Sequence, residues 1–190
     1  MIVLDVLKIC LNDIKRDDIL TTNLFLENGS QPTDEQNEVV NDLIFCLNDA
    51  IQTIAYVYHP LKTYENIVVQ NGTFLYSNLT KTLIDVIRIK DNNGISHHFS
   101  TYPTYFKCEN GTYTLTYTYQ PQLCEALDDE IDLSEDKITE RVLACGSTSQ
   151  FYLKRGMFKE SNMWETYFER LLSAMKYPKS ILDMPMRRWN

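Results

Sequence analysis

The residue types that carry chemistry are scattered through this sequence rather than gathered. Histidine occurs as the adjacent pair His97-His98 and once more as His59. Neighbouring residues of an extended strand point to opposite faces, so the pair is not arranged to share one metal ion. The acidic run Asp128-Asp129-Glu130, with Asp132 beyond it, has the charge to attract a cation. It lacks the glycine and the ligand spacing of an EF-hand loop, and reads as a solvated loop. Asp91-Asn92-Asn93-Gly94 reads as a turn. Gly146-Ser147-Thr148-Ser149 has neither the flanking glycines nor the lysine of a phosphate-binding loop. No Gly-x-Ser-x-Gly elbow occurs, and no cysteine carries a local catalytic signature. The expectation is a protein without catalytic residues, metal or cofactor.

Cys10, Cys46, Cys108, Cys124 and Cys145 are odd in number, widely spaced and free of any Cys-x-x-Cys pair. They read as reduced thiols rather than a disulfide or zinc framework. The opening Met-Ile-Val-Leu-Asp lacks a basic leader and a small-residue cleavage site, so no secretory signal is expected. The sequons beginning at Asn28, Asn71, Asn78 and Asn110 then reflect an Asn-rich composition. No apolar run approaches the ~20 residues that span a bilayer. At 190 residues, 44% hydrophobic and 12% aromatic, the chain suits one compact domain with an inserted subdomain. A net charge of −8 argues against generic nucleic-acid binding, which depends on neutralising phosphates. The charge is uneven: residues 176–190 hold Lys176, Lys179, Arg187 and Arg188 against Asp183, a balance of +3 that leaves −11 on the remainder. A basic end on an acidic body suits contact with a neighbouring copy or an acidic partner.

The elements that must position these residues fall in the order helix, sheet, helix. Val3, Val6, Leu7, Cys10, Leu11 and Ile14 recur at helical spacing, and a second short helical pattern runs over Asp17–Leu26. Asn28-Gly29-Ser30-Gln31-Pro32 marks a loop, and Thr33-Asp34-Glu35-Gln36 fits a capping box opening a long helix to about Tyr58. Val39, Leu43, Cys46, Leu47, Ala50, Ile54 and Val57 form its apolar face. Phe45 falls in the middle of the opposite, polar arc, which makes it a candidate for a subunit contact. His59-Pro60 ends the helix. Strand patterns follow at Tyr64–Gln70, Thr73–Tyr76, Ile84–Lys90, His97–Tyr102, Tyr105–Cys108 and Thr112–Tyr119, with Asn-Gly at Asn71, Asn93 and Asn110 as hairpin signals. In the last segment Thr112, Thr114, Thr116 and Thr118 alternate with Tyr113, Leu115, Tyr117 and Tyr119, the signature of a half-buried antiparallel strand. After Pro121 and the acidic stretch, Ser134 is the expected cap of a helix carrying Ile138, Val142, Cys145 and Tyr152. Gly156 separates it from a last helix, with Asn162 and Glu165 as its expected cap. Trp164, Tyr167, Phe168, Leu171, Leu172 and Met175 make that helix's apolar face.

The expected fold class is α+β. A helical bundle (an opening helix, a long capped helix and two closing helices, over about 1–58 and 134–177) receives an inserted antiparallel β meander or small barrel at about 63–120. Residues 178–190 form an extended docking tail.

This order of elements resembles the head–tail adaptor, or connector, proteins of tailed bacteriophages, including the tail tubular protein A type. The opening helix, the capped helix from Thr33, the β-rich insertion and the closing helices carry the resemblance. The stretches Phe151–Phe158 and Trp164–Leu172 are similar in style to the family's helical pair. The resemblance implies a virion structural protein at the head–tail junction, present in host cytoplasm during assembly. It implies a homo-oligomeric ring of twelve copies binding a portal protein and a tail tube or nozzle protein. DNA would pass through without specific binding, and no membrane would be involved. The Pro178–Asn190 tail fits a portal-docking role, with Arg187, Arg188 and Trp189 as contact residues, since Arg and Trp are enriched at interface hot spots. Two rival readings stand beside it. One is another phage tail or baseplate subunit. The other is a small cytosolic ligand-binding module or enzyme using a pocket in the β block.

Overall fold

The structure, a computed structural model, describes residues 1–133 and 138–176. The described chain is mixed α+β, with five α-helices and two small antiparallel sheets, and it divides into two compact units. One unit holds Val3–Leu47 together with the later helices. The other holds Ile2 and the chain from Asn48 through the β block and the acidic stretch after it.

In the helical unit α1 spans Val3–Asp13 and buries Val3, Val6, Leu7, Cys10 and Leu11, the spacing expected of it. It closes in a Schellman arrangement: Lys15 takes a positive φ of 59°, its N–H reaches the Asn12 carbonyl, and the Arg16 N–H reaches Leu11. Helix α2 is a single turn, Asp17–Leu20, and does not continue to Leu26. The chain instead folds back on itself, with Asn23 N–H bonded to the Ser30 carbonyl and Ser30 N–H to Thr21. Gly29 passes so close to the Thr22 backbone that a β-carbon there would lie 2.2 Å from it, which a helix through this stretch would not permit.

Helix α3, Asp34–Thr53, opens on the expected capping box. Gln36 N–H donates to the Thr33 hydroxyl at 3.3 Å, and Thr33 N–H donates to the Gln36 side-chain carbonyl at 2.9 Å. The Arg16 guanidinium grips Asp18 at 2.9 Å and Glu35 at 3.2 Å, and its bond holds the Asp18 carboxyl down at about 2. The helix does not run regularly to Tyr58. Over Ile54–Tyr58 it widens into a π-turn, and His59 N–H closes on the Ile54 carbonyl at 2.7 Å. The wider turn shifts the helical phase, so Val57, expected on the apolar face, is 63% exposed while Ile54 and Ala55 are buried.

Helix α4, Glu140–Lys154, packs on α1 and on α5, Phe158–Lys176. Its cap position is Thr139, not Ser134, which lies outside the described residues. Ile138 is buried yet precedes the helix, because hydrophobic spacing records burial and not backbone hydrogen bonding. Small residues along α4 (Ala144, Cys145, Gly146, Ser147) are fully buried, so neighbouring helices approach closely. The Cys10 thiol donates to the Ala144 carbonyl at 3.8 Å, and burial pushes that thiol up to about 12. The Ser149 hydroxyl lies 3.1 Å from the Ser161 carbonyl and 2.9 Å from the Glu165 carboxylate, tying α4 to α5. Gly156, with φ of +73°, ends α4 in a second Schellman arrangement. Helix α5 then begins at Phe158, a turn before the expected Asn162 cap, since the Gly156 closure leaves the next residues already directed into a helix.

The β unit contains β1 (Lys62–Val69), β2 (Thr73–Leu75), β3 (Leu83–Asp91), β4 (Ser100–Thr101), β5 (Tyr105–Lys107) and β6 (Gly111–Tyr119). One sheet has the order β1-β6-β3 and the other β2-β5-β4. This is neither a sequential meander nor, among the described residues, a closed barrel. The alternating strand β6 is central, pairing β1 from Lys62↔Thr118 to Val69↔Gly111 and β3 from Leu83↔Tyr119 to Asp91↔Tyr113. Its inner face buries Tyr113, Leu115, Tyr117 and Tyr119 beside Ile67, Val69, Val86 and Ile89. Glu65 shares that inner face, and its carboxylate accepts from the Tyr117 and Thr80 hydroxyls, anchoring the loop before β3. Burial works against the charge of Glu65, the two hydroxyls and the Thr80 N–H favour it, and the carboxyl is lowered overall. Burial, and after it the same carboxylate, pushes Tyr117 up to about 12.

Asn71 and Gly72, both at positive φ, make the tight turn between β1 and β2. Asn110-Gly111 makes no hairpin; it joins strands of different sheets, and the Asn110 side chain accepts from Gly72 N–H at 2.6 Å. The strand expected over His97–Tyr102 shrinks to Ser100–Thr101, paired with β5, while Phe74, Tyr76, Phe99 and Phe106 form the aromatic centre of the small sheet.

Candidate interaction surface

The residues singled out for chemistry stay apart in the fold. His97 lies edge-on to Tyr113 with its Nε2 3.5 Å from Asp91, while His98 is exposed. Asp91 Oδ1 accepts from Asn93 N–H at 2.9 Å and Ile95 N–H at 2.8 Å, so Asp91–Gly94 is an Asx-type turn. Asp129 accepts from the backbone of Glu125 and Ala126, ordering the acidic loop from within. Cys10, Cys46, Cys124 and Cys145 are buried and Cys108 is partly exposed.

Two surface features of the helical unit stand out. The first is an apolar corner. Phe45, on α3, is 57% exposed, as its place on the polar arc implies. Beside it, Asp42 binds Lys154 at 2.6 Å and lies 3.9 Å from Arg155. The carboxylate holds Lys154 above the ordinary lysine range, and the ammonium rests 5.2 Å from the Phe45 ring. The Asp42 contacts therefore fasten the C-terminal end of α4 to α3. Leu153, Met157 and Phe158, at the bend from α4 into α5, are all exposed, Phe158 at 69%. Apolar side chains around a fastened helix corner are the makings of a contact surface.

The second feature is a groove of about 620 Å³ along α5. Lys159, Met163, Thr166 and Arg170 recur at helical spacing along it, and Trp164, Tyr167 and Arg141 complete its walls. Arg141 pairs with Asp13 at 2.6 Å and lies 5.3 Å from the Trp164 ring and 6.0 Å from that of Tyr167. Burial works against its charge, but Asp13 outweighs this and holds the guanidinium above its ordinary range. The apolar face expected for α5 is thus divided. Phe168 and Leu172 are buried, Trp164 and Leu171 are half-buried, and Tyr167 is exposed on the groove.

Of the residues expected to make contacts, Phe45 is at the apolar corner; Arg187, Arg188 and Trp189 lie outside the described residues. Sequence reasoning did not identify the α5 groove. Its only local signal is the Lys159–Met163–Thr166–Arg170 spacing, which reads as an ordinary solvated helix face until Arg141 arrives from α4.

A cavity of about 880 Å³ in the β unit is lined by residues 75–77, 79–86 and 101–104, from the ends of β2, β3 and β4 and the loops beside them, including Tyr76, Lys81, Asp85 and Tyr102. Lys81 is already engaged by Asp132 at 3.2 Å and by the Tyr119 ring at 3.7 Å. Against known proteins, the chain matches no protein-family model and no curated protein.

Proposed function

We propose that the protein is a structural subunit of a tailed-bacteriophage particle: a head–tail adaptor that assembles into a ring, joins the portal to the tail and lines the DNA channel. The observation that carries this reading is the exposure of Phe45 on α3, beside the Asp42–Lys154 pair, and of Leu153, Met157 and Phe158 at the bend from α4 into α5. Among the described residues these large hydrophobic side chains are left exposed on one copy of the chain. The order of elements supports it, with a β unit set between the opening and closing helices, as in the adaptor proteins the sequence resembles. In this reading α1, α3, α4 and α5 form the adaptor's helical bundle, and the corner is buried against a neighbouring copy through a heterologous contact. Residues 178–190 dock on the portal through Arg187, Arg188 and Trp189, and the acidic body keeps DNA from adhering to the channel wall. Electron microscopy of the native particle tests the reading by locating the protein around the channel. Deletion of residues 178–190 is expected to leave a folded protein that no longer attaches to particles. A protein absent from particles, or attachment unaffected by the deletion, would count against it.

The cavity in the β unit favours one alternative, a small ligand-binding module. That reading requires saturable binding of a small molecule whose affinity falls when Tyr76 or Tyr102 is replaced by alanine.

A further inference from the structure

We propose that the groove along α5 receives the acidic loop at residues 123–130 of a second copy of this chain. The contact builds on the ring reading above, because it names a pair of surfaces by which one copy meets the next.

The two surfaces are complementary in charge and in apolar content. The groove is walled by Lys159, Arg170 and Arg141, with no carboxylate among the described residues that line it. This is uncommon in a chain of net charge −8, whose α5 also carries Glu160, Glu165 and Glu169. Glu165 is drawn away to Ser149, and Arg141 is balanced by Asp13, so among the described residues Lys159 and Arg170 supply the groove's uncompensated positive charge. Between them lie Met163, 60% exposed, and Tyr167, 43% exposed, beside Trp164. An occupant must therefore bring both carboxylates and an apolar side chain.

The acidic loop has that composition and is already ordered. Asn48 fastens it by two bonds to Cys124, from its amide to the carbonyl at 2.8 Å and from Cys124 N–H to its side-chain oxygen at 2.9 Å. Asp129 holds the Glu125 and Ala126 N–H groups at 2.6 and 2.8 Å, and Ile2 bridges to Glu130. The acids divide into two sets. Asp129 and Asp132 are used internally, the latter by Lys81, while Glu125, Asp128 and Glu130 face outward with Leu123, 49% exposed. A pre-ordered loop loses little conformational freedom on docking, which favours association. Leu123 would cover the Met163–Tyr167 floor, and Glu125 and Glu130 would meet Lys159 and Arg170. Because groove and loop are different patches of one chain, the contact is head-to-tail and propagates from copy to copy.

The test uses the full chain, followed by sedimentation over a wide concentration range at low and high salt. Wild type is expected to self-associate, more weakly as salt rises. A groove variant (Lys159→Glu with Arg170→Glu) and a loop variant (Glu125→Lys with Glu130→Lys) should each weaken self-association by about tenfold or more, the scale of close interfacial charge pairs. Thermal melting should remain near wild type, since all four side chains are exposed. Mixing the two variants should restore association, because each then offers the charge the other requires. Placing all four substitutions in one chain should do the same. A wild-type chain that stays monomeric throughout, variants that associate normally, or a mixture that fails to recover would each overturn the contact. Particle attachment, measured on the same variants, reads the adaptor function separately. Attachment without this contact overturns the proposed pairing alone, whereas a self-associating chain absent from particles overturns the adaptor reading alone.

Discussion

Replacing Phe45 by alanine separates an interface residue from a core residue. Burying a phenylalanine completely is worth about 1.5–3 kcal/mol. Phe45 is 57% exposed, so somewhat under half of that, about 1 kcal/mol, is at stake within one copy. The Lys154 ammonium over its ring adds about 0.5 kcal/mol at an exposed site, and Lys154 keeps its bond to Asp42 in the variant. The expected loss to the monomer is therefore about 1–1.5 kcal/mol, or a few degrees in melting temperature for a chain of this size. Leu43, two residues away on the same helix and fully buried, provides the contrast: Leu43→Ala should cost about 2–5 kcal/mol. If Phe45 is an assembly hot spot, its truncation should cost about 2 kcal/mol or more in association, roughly thirtyfold. Urea unfolding of the isolated chain and quantitation of particle-bound protein measure the two effects independently. A monomer loss above about 3 kcal/mol would show that Phe45 is core and that the helical phase is misjudged. Normal attachment with the small expected stability loss would remove Phe45 from the interface.

Three further outcomes follow from local structure. The Glu65 carboxyl is lowered in the folded state, so its contribution is present above its ordinary value of 4.5 and is lost as pH falls through the lower folded value; Glu65→Gln should flatten the acid limb of stability against pH, and an unchanged slope would show that Glu65 does not drive it. Thr33→Ala removes the acceptor for the Gln36 N–H and should destabilise the helical unit by about 1 kcal/mol, measured by chemical denaturation. Gly156→Ala places a β-carbon at φ +73° with open space around it, so the cost should be conformational, about 1–2 kcal/mol, and Gly156→Asn should cost less.

Where backbone and side chain answer only to near neighbours, the outcome was legible in the residues themselves. The Thr33–Gln36 box opens α3 because both partners lie within one turn, and Asn71-Gly72 makes its tight turn because both residues tolerate positive φ. The Thr–Tyr alternation over 112–119 specified which side of β6 is buried, since strand side chains alternate whatever the partners. It did not specify that β6 lies between β1 and β3, a pairing of segments far apart in the chain that only simultaneous burial of Ile67, Val86 and Leu115 can select. The π-turn at Ile54–Tyr58 and the one-turn α2 likewise depend on packing and close backbone approach, which leave no periodic signal. The same division holds for the surfaces. Phe45 was visible as an apolar residue on a polar arc, because α3 is regular at that point. The α5 groove was not, because its cationic and aromatic walls come from two helices whose meeting is decided by the buried small residues of α4.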